Sequence, residues 1–138
     1  MKKRANIEFH FKQRGRGCGL CVINVVLKMY GLVGTIFPFS PKKGISSKKI
    51  LIELRNEGLI AQPKDITVHR LEPRSIIWYP KPADHYVVVG KVVGNWALIF
   101  DGDKKEPYWM RLSDLTKKWY RWYHGRWCGW VIETKMHA

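Results

Sequence analysis

The sequence predicts an α+β fold in a single domain spanning 1–138. Three observations carry this. The apolar stretch "CGLCVINVVLKMYG" runs for about a dozen residues without a turn signal and stops at Gly31; that is long for a strand and ordinary for a helix. A second helical pattern, "SKKILIELRNE", ends at Gly58. From residue 59 onward, short runs rich in Val, Ile and Tyr are broken by Pro, Gly and Asn, which is the pattern of strands. Helices first and strands afterwards describe an antiparallel sheet rather than alternating βαβ units. At 138 residues the chain is the size of one domain and buries a core without needing a metal or a disulfide.

Taken in order, Ile7, Phe9 and Phe11 alternate with polar neighbours, so residues 1–13 read as extended. "RGRG" at 14–17 reads as a glycine-rich turn. The helix opened by Cys18 is apolar on nearly every face and is expected in the middle of the domain. Lys28 sits in its last turn, where a cation suits the helix dipole. The second helix, over 47–57, has Ser46 as N-cap and Ile45 and Ile50 at the staple positions. "DITVHRL", "RSIIWYP", "HYVVVGKV" and "NWALIFDG" read as strands, with a hairpin turn at Gly94-Asn95. "RLSDLTKKWY" reads as a short helix, and "GWVIET" as the closing strand.

Composition narrows the function classes. Hydrophobic content of 46% excludes a disordered chain. No apolar h-region follows the charged N-terminus, and the longest apolar run, "LCVINVVL", is too short to span a bilayer. A cytoplasmic protein is expected. Three cysteines, an odd number, suit free thiols better than a disulfide framework. The formal charge of +14 speaks to partners: an acidic protein, nucleic acid or anionic lipid.

The chemistry concentrates at "GRGCGLC", a C-x-x-C with three readings. A redox dithiol follows a strand and opens a helix within a βαβ unit, and no such unit follows here. A zinc site pairs Cys18 and Cys21 with His124 and Cys128 of "HGRWC", and belongs to a basic module binding nucleic acid or protein. A nucleophile needs only Cys18: a helix N-terminus favours thiolate, and Gly19 admits a substrate close to the backbone. It also needs a base and an orienting group. His85 heads the strand "HYVVVG", and Asp101 ends the next strand, "ALIFD". A hairpin brings one strand's start beside the other's end, so His85 and Asp101 are candidate neighbours on one rim. Asp103 is a second candidate orienter.

The stretches "Q…CGLCVINVVLKMYG", "DHYVVVGKVVGNWALIFD" and "WMRLSDLTKKW", running from about Gln13 to Thr134, resemble the papain-like double-glycine leader peptidases. These occur at the N-termini of bacteriocin-exporting ABC transporters and as stand-alone domains. The resemblance implies a papain-like cysteine peptidase fold, with the nucleophile helix buried against the C-terminal antiparallel sheet. It implies Cys18 as nucleophile, His85 as general base and Asp101 as its orienter. Gln13 and the backbone N–H of Cys18 would be the oxyanion donors. Cys21 becomes a core residue. The implied substrate is a peptide or protein, cut after a small-residue, Gly-Gly-like motif, and no cofactor or metal is implied. Gly17 stands where the family usually has an acidic residue, and the stretch between Cys18 and His85 is shorter than usual. "KWYRWYHGRWCGW" reads as an addition before the last strand, interleaving basic and aromatic residues. Five of the seven tryptophans lie between 109 and 130. The same fold without activity would be a peptide-binding module.

Overall fold

The computed structural model describes residues 18–32, 46–81 and 84–137, the first three by backbone alone. The extended segment 1–13, the turn at 14–17 and Ile45 lie outside the described residues. Helix α1, Cys18–Met29, is followed by α2, Ser47–Asn56. Seven strands follow: β1 Leu59–Ile66, β2 Ser75–Tyr79, β3 His85–Val93, β4 Trp96–Phe100, β5 Tyr108–Arg111, β6 Tyr120–Tyr123 and β7 Arg126–Met136. A third helix, α3 Leu112–Trp119, joins β5 to β6.

The helix ends follow from their residues. Gly31 takes φ +73°, and the N–H groups of Gly31 and Leu32 return to the carbonyls of Lys28 and Leu27. That is the Schellman arrangement, which satisfies carbonyls that α1 otherwise leaves open. Ser46 caps α2 by accepting from the Lys49 N–H at 3.2 Å.

The strands pair antiparallel in the order β1-β7-β2-β3-β4-β5, with β6 also paired to β7. Gly129 of β7 is level with Ile66 of β1 and with Tyr120 of β6, so β1 and β6 lie on opposite edges of β7. Both faces of the sheet are covered, which is why its central strands are continuous apolar runs rather than alternating ones. Ile76, Val88, Leu98, Phe100 and Ile132 face the core built with α1 and α2. Their neighbours Ile77, Val87, Val89, Ile99 and Val131 face the second core, with Leu115 and Trp119 of α3. Helix α1 packs against β2, β3 and α2, which buries every side chain from Cys21 to Leu27.

Two expectations needed correction. The run 65–71 is not one strand: the strand is Leu59–Ile66, and Val68–Arg70 is a 3-10 turn. Pro63 inside β1 is tolerated because β1 is an edge strand. The final strand begins at Arg126 rather than Gly129, because the aromatic addition is itself a hairpin, β6–β7, turning on His124 and Gly125.

Gly90 fixes how α1 sits on β3. It lies at a bulge, where the register slips between Val89 and Lys91. A Cβ there would stand 2.5 Å from Phe100 Cε1 and 3.3 Å from Met29 Cε. Gly90→Ala is expected to lower stability by about 1–3 kcal/mol through overpacking. Denaturant melts check this, and an unchanged midpoint would contradict the packing.

Candidate active site

His85 begins β3, and Asp101 follows the last residue of β4. The hairpin turn at Gly94-Asn95 folds these strands together, with Gly94 at φ +57°. His85 Nε2 lies 2.7 Å from Asp101 Oδ1. Asp101 is almost wholly buried (side chain 7% exposed), and the His85 side chain is 18% exposed. The histidine is therefore accessible from one side, while its carboxylate partner is shielded.

Asp101 is held by more than the histidine. The Asp103 backbone N–H donates to Oδ1 at 2.9 Å, and the Tyr108 hydroxyl donates to Oδ2 at 3.3 Å. The first is an Asx turn, so the Asp-Gly sequence is both a turn and a site. Burial alone would push the Asp101 carboxyl up; the His85 hydrogen bond, the Asp103 N–H, the His85 charge and the Tyr108 hydroxyl together hold it below the usual value. Asp103 itself is secondary: its carboxylate is half exposed and 3.6 Å from His85 Nε2.

A lowered carboxyl pKa sets a sign. The unfolded chain binds this proton more readily than the native one. Asp101 therefore stabilises the fold above its unfolded value of about 4, and the contribution is lost as pH falls through the lower native value. The gap in melting temperature between wild type and Asp101→Asn is expected to be full at neutral pH and to close in that acid window. A gap independent of pH would contradict it.

Two tyrosines complete the setting, and the sequence reading did not single them out. The Tyr79 ring is 6.2 Å from the His85 ring, on the residue paired with it across β2–β3. The Tyr79 hydroxyl is buried, with Tyr108 as its polar neighbour. Burial first, then the neighbouring charges, pushes both phenols well above their ordinary range, so both stay neutral. The sequence cue for Tyr108 was its place after the "DGDKKEP" loop, on a strand too short to show a period.

Cys18 is the first residue of α1. Its side chain and Gln13 lie outside the described residues. The zinc reading needs correction. Among the described residues, only His85, Asp101 and Asp103 bring three potential ligand atoms within 4.8 Å of one another. Cys21 is buried in the α1 core and Cys128 in β7, whereas His124 sits exposed on the hairpin turn. Cys21 is a small core residue, as the resemblance implies. Exposed carboxylates such as Asp103 commonly cluster without a metal, and the hydrogen bonds already account for the arrangement.

A helix opened by a cysteine and packed on an antiparallel sheet, with a histidine and a buried aspartate at the sheet's end, matches the papain-like cysteine peptidase fold. The chain belongs to the Peptidase C39 family, whose model matches residues 6–123. Solved structures agree on the fold. A double-glycine motif protease from an AMS/PCAT transporter, in complex with the leader peptide, is 20% identical with a TM-score of 0.68, covering 93% of this chain and 91% of that one. The peptidase domain of Streptococcus ComA, a bi-functional ABC transporter involved in quorum sensing, is 20% identical, also with a TM-score of 0.68, over 91% and 96%. The N-terminal peptidase C39-like domain of a toxin secretion ATP-binding protein from Vibrio parahaemolyticus is 13% identical with a TM-score of 0.64, over 91% and 100%. No curated protein sequence matches the chain. Among the described residues, no helix is long and apolar enough to cross a membrane.

Proposed function

We propose that residues 1–138 form one peptidase domain that hydrolyses a peptide bond after a small-residue, Gly-Gly-like motif. Cys18 is the nucleophile, His85 the general base and Asp101 its orienter. The observation that carries this is the 2.7 Å His85–Asp101 contact at the end of the sheet, with Cys18 at the start of the helix packed on β3. With Nε2 turned to Asp101, Nδ1 is the ring nitrogen that exchanges a proton with the nucleophile. The buried carboxylate stabilises the imidazolium. The first turn of α1 carries no acidic residue, so its dipole favours the Cys18 thiolate without a competing charge.

In the acylation step the thiolate attacks the carbonyl carbon, and a C–S bond forms. Gln13 and the Cys18 backbone N–H stabilise the resulting oxyanion, each donor being worth about a hundredfold or more. The imidazolium protonates the leaving amine as the C–N bond breaks. Water, deprotonated by His85, then attacks the thioester, and the acid product leaves with thiolate and imidazolium restored.

The double-glycine specificity rests on family membership and on the leader-peptide complex of the similar protease. Synthetic leader peptides containing Gly-Gly, incubated with the protein and read by mass spectrometry, test it. A cut after the second glycine is expected, lost when either glycine becomes valine. Tight binding with no cleavage would instead mean a peptide-binding module.

A further inference from the structure

The β6–β7 hairpin carries aromatic surface that neither core uses. Trp122 and Trp127 face each other across the two strands, 61% and 56% exposed. Their rings meet edge to face at 5.6 Å. Such a pair staples a short hairpin, but stapling needs only one face and one edge and leaves most of both indoles in water. Tyr123 beside them is also exposed, at 40%. The turn is tight: His124 and Gly125 both take positive φ, 49° and 81°, the two-residue hairpin geometry. A compact, convex tip thus presents two indoles and a phenol together, a cluster rather than scattered apolar residues.

Its surroundings are cationic. Lys117 and Lys118 are exposed at the end of α3, which leads directly into β6, and Arg126 is exposed at the start of β7. Nearby acids are largely engaged: Asp65 holds Arg121 at 2.9 Å, and Asp114 lies 3.6 Å from Lys117. The whole chain carries +14. Indole and phenol rings beside Lys and Arg suit the headgroup layer of an anionic bilayer, where the rings enter the interface and the cations meet lipid phosphates. Single-stranded nucleic acid fits less well. Bases stack on ring faces set along a basic groove, whereas these rings engage each other edge to face on a convex tip.

The position of the hairpin gives this a consequence. Antiparallel pairing sets Ile77 level with Val131, and continuing it brings Tyr79 level with Gly129, where β6 joins β7. Tyr79 pairs with His85, and Lys118 Nζ lies 5.8 Å from the Tyr79 ring. The hairpin therefore projects from the end of the sheet that holds His85 and Asp101. We propose that the β6–β7 hairpin is a membrane-surface anchor, seating the chain on an anionic bilayer with that end of the sheet toward the headgroups.

The test is co-sedimentation of the full chain with phosphatidylglycerol/phosphatidylcholine vesicles and with phosphatidylcholine alone, neither of which requires catalysis. Binding to the anionic vesicles alone is expected, weakening with salt, and falling on the order of tenfold in the Trp122→Ala/Trp127→Ala double variant. A melt of that variant checks that it folds. Independently of any variant, brominated phosphatidylglycerol should quench wild-type tryptophan fluorescence. No vesicle binding, no quenching, or equal binding by the folded double variant would overturn the proposal. So would tryptophan-dependent binding of a single-stranded oligonucleotide in place of vesicles.

Discussion

Cys18→Ala is expected to abolish peptide hydrolysis, with a loss of about ten-thousandfold or more in kcat, and to leave the fold intact. Removing one member of a cooperating nucleophile–base pair costs about as much as removing both, so His85→Ala and the Cys18→Ala/His85→Ala double variant should fall to the same floor. Asp101 differs in kind, because it acts through His85. Asparagine is itself a working orienter in Cys-His-Asn sites. Asp101→Asn keeps one acceptor oxygen, which can face His85 Nε2 and the Asp103 N–H, but loses the charge and sets an amide NH2 in place of the oxygen that accepts from the Tyr108 hydroxyl. Asp101→Ala loses both oxygens and the charge, and leaves the Tyr108 hydroxyl and the Asp103 N–H without their acceptor. The order of activity should be wild type, then Asp101→Asn, then Asp101→Ala, then His85→Ala. Steady-state kinetics on a cleaved peptide checks it, and additive losses in the double variant would contradict the pair.

Gly129→Ala is expected to have the largest effect on stability outside the site. A Cβ at Gly129 would stand 1.9–2.4 Å from three atoms of the Trp119 indole. Trp119 is the largest fully buried side chain, and its Nε1 donates to the Trp130 carbonyl at 2.7 Å. The ring cannot yield without leaving the core beneath α3 and breaking that bond. Vacating such a site costs about 3–5 kcal/mol, as a tryptophan-to-alanine truncation does. Trp119→Ala should therefore destabilise to a similar degree. Placing alanine at both positions should cost less than the sum, since the added methyl enters the vacated space. Denaturant melts measure this, and strict additivity would show that the two sites do not share space.

The sequence showed the parts whose signals are local. Gly31, Ser46 and Gly58 punctuate the two helices where they begin and end. The Gly94-Asn95 turn between two β-branched runs made the His85–Asp101 proximity legible, because a hairpin links the start of one strand to the end of the next. Other features depended on tertiary context. Strand β5 is four residues long and runs straight into α3, so nothing in "YWMRLSD" marks the junction. In β6, "YRWY" has no clear alternation, and its turn places a histidine rather than an asparagine or glycine at φ 49°. Pro63 gives no sign in the sequence of the strand that holds it, which tolerates a proline because it lies on the sheet's edge. The Tyr108 hydrogen bond could not be read without β5, nor the Tyr79 contact without the β2–β3 register. The zinc reading failed for a three-dimensional reason: Cys21 and Cys128 point into packed interiors while His124 does not.

The most direct test of the catalytic account is the reactivity of the three thiols toward limiting iodoacetamide at neutral pH, mapped by peptide mass spectrometry. Cys21 and Cys128 are buried and should stay unlabelled in the folded protein. The account predicts rapid alkylation of Cys18 alone, strongly slowed in His85→Ala, because the thiolate depends on its imidazolium partner. Slow alkylation of Cys18, or a rate unchanged in folded His85→Ala, would contradict the Cys18–His85 pair and the peptidase mechanism built on it.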